Sequence, residues 1–457
     1  MKKLLIICFG CLIAWQSTVF GDWKSDANAR IEQYRKRDAR IVFKDKAGNV
    51  VPNKNVKIRQ MSHDYAFGAV FSVSQLERFG GEGSSWNKFF TDHFEWATIT
   101  EIQWSTTEPN QGEVDYSLFD AGYQFCKDNN IKVRAHRLFS ENGPDNNWID
   151  SISNAELSVA MDRRLNSLIR YTAGKIDSLD VCNEMAENSY YKTRLGNSIR
   201  AWMFQSVNNI DPECKLFINE YSIVTESRLI PACNALIQGL LADGAPIDAL
   251  GAQCHFDPDL GLGTVDPTAI LQRLDILATN GLPIWATEFH CRDANEYVRA
   301  DKIEKFYRTF FSHPSTQGII MWGYWGAVNQ HPYGPDAAIV NADWTLNAAG
   351  VMYESLMNEW TTNLNTSIDG TGELDFRGFH GVYEVEVFGG LTNSSPQKFE
   401  IELLPGSSVA EYTITLCPES DLDGDCSVQL TDFAVLAADW MDCTNPVDNV
   451  NCIGYSY

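Results

Sequence analysis

Eight short apolar segments, each followed by a stretch with helical periodicity, are the feature that most restricts the fold of this chain. In the stretches between them, apolar residues recur every three or four positions, which is typical of amphipathic helices. Eight strands alternating with helices over about 290 residues predict an α/β fold, the closed (β/α)8 TIM barrel. An open doubly wound sheet is the alternative, but the chain lacks the glycine-rich first turn with which such sheets bind nucleotides. The eight segments are AFGAVF at 66, EWATI at 95, IKVRAH at 131, KIDSLDV at 175, KLFIN at 215, IDALGAQ at 247, PIWAT at 283 and QGIIMWG at 317.

One of the predicted helices can be followed residue by residue. Ser153 and Glu156 have the spacing of a capping box, in which each side chain bonds to the backbone N–H of the other residue. Gly174 is expected to end the helix just before the next strand. The apolar stripe that would face the sheet consists of Leu157, Met161, Leu165 and Leu168.

The segments on either side of the barrel have strand patterns of their own. Residues 40–43 and 55–59, separated by the turn-rich KAGNVVPNK, predict an N-terminal β-hairpin. After residue 360, alternating segments such as GVYEVEVF and EYTITL predict a small C-terminal β module. We therefore expect five parts: a signal peptide (1–21), a segment with the β-hairpin (22–62), the barrel (63–360), the β module (361–417) and a C-terminal tail (418–457).

The first residues have the pattern of a secretory signal peptide. Lys2 and Lys3 precede an apolar stretch, and Val19 and Gly21 suit a cleavage site. The alternative, an uncleaved membrane anchor, would need an apolar stretch of about 20 residues. We therefore expect a secreted or cell-surface protein without membrane contact after cleavage. Export would permit disulfides, and one or two local bridges are expected among Cys417, Cys426, Cys443 and Cys452.

The overall charge restricts the partners. A net charge of -24 would repel nucleic acid and anionic membranes, so neither is expected as a partner. A neutral substrate fits this charge better than a polyanion does.

Two apolar segments end in polar residues that are suited to catalysis. LDVCNEM turns from apolar to polar at Asn183 and Glu184, and PIWATEFH does so at Glu288. Because strand ends point into one common face of a barrel, both carboxyls would meet there. Two such carboxyls can divide glycoside cleavage between a proton donor and a nucleophile. Helix capping or a solvated position is the alternative for each residue taken alone.

Further motifs resemble glycoside hydrolase family 10, the endo-β-1,4-xylanases. LDVCNEM resembles its D-V-x-N-E segment, and IWATEF resembles its nucleophile segment I-T-E-L. EIQWSTTEPNQGEVDYSLFD, VRAHRLF, KLFINEYS and GAQCHF are similar to other family segments and follow the family's order. The hairpin and FRGFHGVYEVEV look like the plant-type branch. The resemblance covers roughly residues 30 to 390 and implies a barrel enzyme that cleaves internal β-1,4-xylosidic bonds of xylan.

The resemblance also implies roles for single residues. Glu184 would be the acid/base and Glu288 the nucleophile of a retaining mechanism, which needs no cofactor for catalysis. Asn183 would bind the 2-hydroxyl of the sugar, and His255 would orient Glu288, with a core histidine as the alternative. Trp322 would stack on a pyranose unless it is a core tryptophan. The remaining polar contacts that the resemblance implies are Gln253, His136 and Glu101.

Several positions depart from the family pattern. Gln103 replaces a lysine, Thr100 replaces an asparagine, Ser140 and Glu141 replace Trp-His, and His290 stands where an aspartate is usual. These positions line the glycone side in the family, so the preferred polysaccharide is left open by the resemblance. The alternatives are a retaining hydrolase of another β-linked plant polysaccharide, a non-catalytic carbohydrate-binding relative, and a hydrolase with a metal site at His136, His255 and His290.

The tail resembles one calcium-binding half of a dockerin. Its acidic loop has the spacing of a calcium loop, although Cys426 stands where glycine is usual and only one repeat is present. The resemblance implies a structural Ca²⁺ ion and, as a partner of the tail, a cohesin-like or cell-surface protein. The ligands would be Asp421, Asp423, Asp425, Ser427 and Asp432.

Overall fold

The computed structural model describes residues 22–143, 146–327, 334–389, 396–418, 428–431 and 433–435. The strands are β1 (Lys36–Asp45), β2 (Asn55–His63), β3 (Ala66–Phe71), β4 (Trp96–Ile99), β5 (Lys132–Ala135), β6 (Phe139–Ser140), β7 (Ser178–Asn183), β8 (Lys215–Glu220), β9 (Ala249–Ala252), β10 (His255–Phe256), β11 (Ile284–Cys291), β12 (Thr316–Met321), β13 (Asn363–Ser367), β14 (Glu373–Phe379), β15 (Gly381–Val387), β16 (Gln397–Leu403) and β17 (Ala410–Leu416).

Most of the helices lie between barrel strands, and two short 3-10 turns accompany them (Pro258–Leu260 and Pro335–Ala337). The α-helices are α1 (Trp23–Tyr34), α2 (Val73–Phe79), α3 (Ser85–His93), α4 (Trp104–Thr107), α5 (Ser117–Asp128), α6 (Asn147–Ser151), α7 (Asn154–Thr172), α8 (Tyr190–Leu195), α9 (Ser198–Ile210), α10 (Ile230–Ala242), α11 (Pro267–Ala278), α12 (Glu296–Ser312) and α13 (Ala348–Glu359).

The predicted barrel is confirmed. The strands β3, β4, β5, β7, β8, β9, β11 and β12 pair in parallel in this order, and β12 pairs with β3 to close the barrel. The short strands β6 and β10 extend the ladders of β7 and β11. The predicted helix is α7, which begins with the Ser153–Glu156 capping box and buries its apolar stripe. The C-terminal ends of all eight strands therefore lie at one face of the barrel.

Large aromatic side chains fill part of the barrel interior, and glycines make room for them. A Cβ atom on Gly318 would lie 2.4 Å from the ring of Trp285, so this close approach of ring and backbone requires glycine. Trp285 in turn packs edge-on against Trp96 at a centroid distance of 5.0 Å. Trp96, Trp285 and Gly318 lie near the N-terminal ends of their strands, where these bulky rings fill the barrel. Polar side chains can therefore gather at the other, C-terminal end.

The predicted N-terminal hairpin is wrong, although both of its strands exist. β1 pairs with β14 and β17, whereas β2 pairs with β13 and β15 in a separate sheet. The two sheets bury one common apolar cluster, in which Phe43 of β1 and Ile58 of β2 are fully buried. The strands thus lie on either side of a core instead of side by side. The predicted N-terminal segment and C-terminal β module are two parts of one β-sandwich.

Arg35, at the end of α1, connects this sandwich to the barrel. Its guanidinium donates to the backbone oxygens of Phe311 (2.6 Å), His313 (2.5 Å) and Thr316 (2.9 Å). It also lies 4.7 Å from the ring centroid of Tyr65. These bonds use carbonyl groups at the end of α12 and the start of β12, so the sandwich is attached near the N-terminal face of the barrel, away from the strand ends.

The predicted signal peptide (1–21) and most of the tail lie outside the described residues. Cys417 is disulfide-bonded, and its partner lies outside the described residues, as do Cys426, Cys443 and Cys452, so the predicted local bridges stay a prediction. The six cysteines from Cys126 to Cys291 are free and buried. Among the described residues, no helix combines the length and apolar character that crossing a membrane requires.

Candidate active site

β7 delivers Asn183 and Glu184 to the C-terminal face of the barrel, as predicted. All six residues of β7 are buried, and Asn183 is the last of them. Glu184 follows with a φ of 59°, in the left-handed region that residues other than glycine rarely adopt. Its backbone N–H donates to the carbonyl of Asn219 over 3.0 Å. The turn lets Glu184 emerge half-buried while Asn183 stays in the core.

Glu288 lies within β11 and not at its end, so the predicted end of this strand is wrong. The strand continues to Cys291 because β10 extends the sheet there, with His255 paired to His290. The ladder with β12 is irregular between Ala286 and Phe289. Glu288 lies in this irregular part, and its carboxylate is buried, with 5% of the residue exposed.

Asn219, at the end of β8, joins the side chains from β7 and β11. Its Nδ2 donates to Asn183 Oδ1 over 2.9 Å and to Glu288 Oε1 over 2.7 Å. Its Oδ1 accepts from the hydroxyl of Thr287 over 2.5 Å. The orientation of the Asn219 amide is therefore determined by three neighbours, and one side chain connects the three strands β7, β8 and β11.

Hydrogen bonds and positive charge keep Glu288 ionised. Burial alone would raise the pKa of its carboxyl, but a hydrogen bond from His255, the charges of His136 and His255, and the bond from Asn219 lower it to about 2. His255 Nε2 lies 3.2 Å from Glu288 Oε2, and His136 Nδ1 lies 3.9 Å from Oε1. On its other side, His255 Nδ1 lies 2.7 Å from Nδ1 of His290. The structure thus brings His255 to Glu288, as predicted.

Glu184 has a different, more open environment. Gln253, which follows β9, donates from Nε2 to Glu184 Oε1 over 3.0 Å, so this predicted site residue contacts the other carboxyl and not Glu288. Below it, the buried carboxyl of Glu220 accepts from the backbone N–H groups of Met185 (2.7 Å) and Ala186 (3.1 Å). Glu220 therefore fixes the turn that carries Glu184. Burial, reinforced by the charge of Glu184, raises the pKa of Glu220 to about 8, although the two backbone bonds oppose the shift.

His136, one of the residues predicted to contact the sugar, lies next to Glu288 and is held by Asp180 of β7. Its Nδ1 lies 2.6 Å from Asp180 Oδ2, and the other oxygen of Asp180 binds Arg134 in a buried ion pair. The Trp322 ring meets the His136 ring edge-on at 5.5 Å. Trp322 is half-buried, so part of its indole is open to a ligand at the face where Glu184 and Glu288 lie.

Glu101 is not joined to the other predicted site residues. It follows β4 and accepts from the backbone N–H groups of Val73 (3.0 Å) and Thr100 (3.1 Å). Burial raises the pKa of its carboxyl, while these backbone bonds lower it. Its hydrogen bonds within the described residues connect β4 to α2, and none reaches Glu184 or Glu288.

Glu141, one of the positions that depart from the family pattern, supports the region near Asn183. It is buried and pairs with Arg200 Nε at 2.6 Å, and its backbone N–H donates to the carbonyl of Asn183 over 3.0 Å. It also accepts from the backbone N–H of Tyr191 over 2.7 Å. This carboxylate fastens α8 and α9 to the end of β7.

The alternative metal site does not form. No group of three or more His, Cys, Asp or Glu side chains in the described ranges could hold a metal ion, and this includes the set His136, His255 and His290. The five predicted calcium ligands, Asp421, Asp423, Asp425, Ser427 and Asp432, lie outside the described residues.

Asn219, Glu220 and Asp180 contact the site, although no role was predicted for them from the sequence. Asn219 and Glu220 end β8, and the rule that selected Asn183 and Glu184 applies to them equally, because KLFINEY also turns polar where its strand ends. Asp180 had no such signal. It lies inside a buried strand, and only the tertiary contacts with Arg134 and His136 indicate its role.

Comparison with known sequences gives a consistent family match. The profile of glycosyl hydrolase family 10 matches residues 57–329. The chain is 39% identical to the anti-sigma-I factor RsgI6 of Acetivibrio thermocellus, over 86% of this chain and 48% of that protein. It is 32% identical to endo-1,4-beta-xylanase 2 of Arabidopsis thaliana, over 84% of this chain and 35% of that protein. The chain thus spans about half or less of the length of these relatives.

Solved structures share the fold. Xylanase 10B from Thermotoga petrophila RKU-1, in complex with xylobiose, aligns with a TM-score of 0.57 at 19% identity, over 65% of this chain and 94% of that chain. The Penicillium canescens endo-1,4-beta-xylanase XylE aligns with a TM-score of 0.57 at 17% identity, over 64% of this chain and 94% of that chain. At these identities the likeness concerns the barrel fold alone.

Proposed function

The chain belongs to glycosyl hydrolase family 10, and we propose that it hydrolyses internal β-1,4-xylosidic bonds of xylan. The observation that carries the proposal is the hydrogen-bonded chain from Asn183 through Asn219 to Glu288. It holds one ionised, buried carboxylate beside the strand end that bears a second, more open carboxyl, Glu184. Two carboxyls with such different environments suit the two roles in glycoside cleavage.

In the first step we assign the nucleophile to Glu288 and the proton donor to Glu184. A carboxylate oxygen of Glu288 attacks the anomeric carbon, while Glu184 gives its proton to the glycosidic oxygen and the leaving part of the polysaccharide departs as an alcohol. With its pKa lowered to about 2, Glu288 is ionised at neutral pH, as a nucleophile must be. The half-buried position of Glu184 gives it access to the leaving group.

In the second step water replaces the enzyme on the sugar. Glu184, now a carboxylate, accepts a proton from the water, whose oxygen attacks the anomeric carbon and releases Glu288. Two inversions leave the product with the configuration of the substrate. Gln253, which donates to Glu184, is suited to holding its carboxyl in place through both proton transfers.

Other side chains at the face are suited to binding the sugar. Asn183 uses its Oδ1 to accept from Asn219, so its own amide N–H groups are left to donate to the 2-hydroxyl. Trp322 presents part of an indole, which suits stacking on the C–H face of a pyranose. We also assign Glu101 to sugar binding, as the family resemblance implies, separately from the hydrogen-bonded group around Glu184 and Glu288.

The choice of xylan rests on relatives. Three of the Arabidopsis thaliana proteins that the chain resembles at 31–33% identity are endo-1,4-beta-xylanases. We also propose the plant-type branch, and the identity to these three plant proteins is what supports it. Endo-1,4-beta-xylanase B of Cellvibrio japonicus is 27% identical over 50% of this chain. The departures at Gln103, Ser140, Glu141 and His290 make another β-linked plant polysaccharide the first alternative to test.

A product profile on xylan, arabinoxylan and a mixed-linkage glucan tests the proposal, with proton NMR of the first-formed anomer. We expect fast cleavage of xylan to a range of oligosaccharides, with the β-anomer formed first. Cleavage of the glucan alone would move the proposal to the alternative substrate. An α-anomer formed first would contradict the retaining mechanism.

A second candidate is a domain that binds the polysaccharide without cleaving it. The observation that favours it is the 39% identity to a protein named as an anti-sigma-I factor, which is the name of a regulatory protein and not of an enzyme. The candidate predicts that the protein binds xylan in the micromolar range and releases no reducing ends. The retained pair of Glu184 and Glu288, with its supporting bonds, favours the enzyme.

We also propose secretion or display at the cell surface, a structural Ca²⁺ ion in the tail, and a cohesin-like or cell-surface partner for that tail. These proposals rest on the sequence patterns at residues 1–21 and 418–457. A calorimetric titration of the full chain with Ca²⁺, repeated with Asp423→Ala, tests the ion site. We expect saturable binding that the substitution weakens, and xylan cleavage that persists after chelation.

A further inference from the structure

A groove of about 940 Å³ lies on the outer side of the barrel, between α7, α9 and the end of α10. None of the residues assigned to the candidate active site lines it. Its upper end, at Leu195 and Asn197, is near the end of β7, because Arg200 on the first turns of α9 binds Glu141, which is bonded to Asn183. The groove therefore begins close to the rim of the catalytic face and continues down the side of the barrel.

The groove is lined by a tryptophan, Trp202, which packs partly against the barrel core. Trp202, on α9, is half-buried, and within the part of the chain that the structure describes its indole N–H makes no hydrogen bond and its ring pairs with no other ring. Across the groove, Val159 on α7 is 70% exposed. An indole with one face and one N–H donor available suits a ligand that is apolar on one side and polar at its edges.

Several polar side chains that line the groove with Trp202 make no hydrogen bond within the described part of the chain. The exposed side chains of Ser158, Asn197 and Ser198 form no hydrogen bond with any described residue, and Gln205 uses only its Nε2 group, for the backbone oxygens of Asp243 and Gly244. The lining includes the carboxylates of Asp162 and Asp243 and no lysine, arginine or histidine. The groove therefore offers hydrogen-bond donors and acceptors with a negative charge, which excludes phosphate, nucleotide and other anionic ligands.

We propose that this groove is a second binding site for a neutral β-linked polysaccharide chain, separate from the candidate active site, which is called the cleft below. A pyranose presents a C–H face to an indole and hydroxyl groups at its edges, and this combination matches Trp202 with the surrounding amide, hydroxyl and carboxylate groups. The identity of the polysaccharide as xylan rests on the proposed function.

The site would hold the protein on insoluble material. Once one stretch of polysaccharide is bound in the groove, the cleft meets neighbouring stretches at a high effective concentration. The gain would appear on insoluble xylan, where many chains lie side by side, and would be absent for a soluble substrate that fills the cleft alone.

The test compares the full chain with its Trp202→Ala and Trp202→Phe variants. The fraction bound to insoluble xylan in the cold is measured beside kcat/KM on a soluble aryl xylobioside. For Trp202→Ala we expect binding to insoluble xylan to weaken about fivefold, with kcat/KM on the soluble substrate unchanged. Trp202→Phe keeps an aromatic face and should retain most of the binding.

Two further variants accompany these. Asn197→Ala tests the groove at a second position, and Tyr297→Ala controls for the loss of an exposed aromatic ring elsewhere. Asn197→Ala changes an exposed side chain without hydrogen bonds and should weaken binding about twofold while preserving the melting temperature. Tyr297→Ala removes a 74% exposed ring from α12, on another side of the barrel, and should leave binding unchanged. Wild-type binding in both Trp202→Ala and Asn197→Ala would overturn the proposal.

The remaining outcomes separate this site from the proposed function and from other occupants. If the wild type binds xylan through Trp202 but does not cleave it, the groove stands and the enzymatic proposal fails. If the wild type cleaves xylan and its binding does not depend on Trp202, the enzymatic proposal stands and the groove is not a binding site. A change of oligomeric state in Trp202→Ala on size-exclusion chromatography, with xylan binding intact, would assign the groove to a second copy of the chain and overturn the proposal.

Discussion

The side-chain amide of Asn219 donates to the carboxylate of Glu288 over 2.7 Å. The second proton of the same nitrogen is directed to Asn183 Oδ1 over 2.9 Å. One amide from β8 therefore positions both the carboxylate assigned to nucleophilic attack and the side chain assigned to the sugar's 2-hydroxyl. The geometry of the reaction centre depends on a residue that need not touch the substrate.

We predict that Asn219→Ala lowers kcat/KM on xylan by about 10- to 100-fold, because a hydrogen bond to a charged group is lost. Removing the same bond also raises the pKa of Glu288, so the acid limb of the pH profile should move to higher pH. Asn341→Ala, which removes an exposed turn contact with Thr345, is the control. Equal activity of the two variants would show that Asn219 does not position the site.

His255→Asn should move the acid limb of kcat/KM further than Asn219→Ala does. His255 is the largest of the influences that lower the pKa of Glu288 against the effect of burial. In the wild type, the pKa of Glu288 is lowered to about 2, so its carboxyl is ionised at neutral pH. Without His255 its pKa rises, and activity should fall at acidic pH first. A pH profile parallel to that of the wild type would contradict this role.

Glu184→Gln should affect substrates according to their leaving groups. A glutamine cannot donate the proton that xylan requires, so we expect a loss of about 10²- to 10⁴-fold in kcat on the polysaccharide. An aryl xylobioside with an acidic phenol needs little protonation in the first step and should show a burst of phenol followed by slow turnover. Stopped-flow absorbance measures the burst. Equal losses on both substrates would argue against an acid/base role.

Glu220→Gln should change how stability depends on pH. The pKa of Glu220 is raised from 4.5 to about 8 in the folded protein, so the folded state holds the proton more tightly than the unfolded state does. Its contribution to the stability of the folded protein is therefore fully present below the pKa of the unfolded chain, 4.5, and is lost as pH rises towards 8. Glutamine keeps an acceptor for Met185 and Ala186 and places an amide where Glu220 Oε2 has no hydrogen-bond partner.

We therefore expect the free energy of unfolding of Glu220→Gln, taken relative to that of the wild type, to be higher at about pH 8 than at about pH 5. The expected change in this difference is about 1 kcal/mol or more. Urea unfolding at both pH values measures the difference. Glu108→Gln, at another buried carboxyl, serves as the control. A constant difference between variant and wild type across this range would contradict the raised pKa.

The sequence was sufficient for the barrel because local signals and the global fold agree there. The Ser153 capping box, the apolar stripe behind it and the abrupt end of LDVCNEM each follow from short-range physics, and the structure reproduces all three. Glu184 could be predicted as a site residue in the same way, because the C-terminal ends of all barrel strands lie at one face.

The parts that the sequence could not predict depend on distant partners. β1 and β2 read as a hairpin because they are neighbours in the chain, but β1 pairs with β14 and β17, more than three hundred residues further on, as the register between Ile41 and Leu374 illustrates. No local pattern distinguishes a strand that faces its neighbour across a core from one that lies beside it. Likewise, the irregular ladder that places Glu288 inside β11 arises from the pairing with β10 and β12.

The assignment of Glu288 as the nucleophile is tested most directly by trapping the covalent intermediate that Glu288 would form with the sugar. A 2-deoxy-2-fluoro xylobioside with an activated leaving group slows both steps, and slows the release of the sugar most. We predict that the intact protein gains the mass of one fluorinated xylobiosyl unit, that the label lies on Glu288 in the proteolytic peptide containing PIWATEF, and that Glu288→Gln gains none. A label on any other carboxyl, or turnover of xylan with no label under conditions that inactivate a retaining enzyme, would contradict the account.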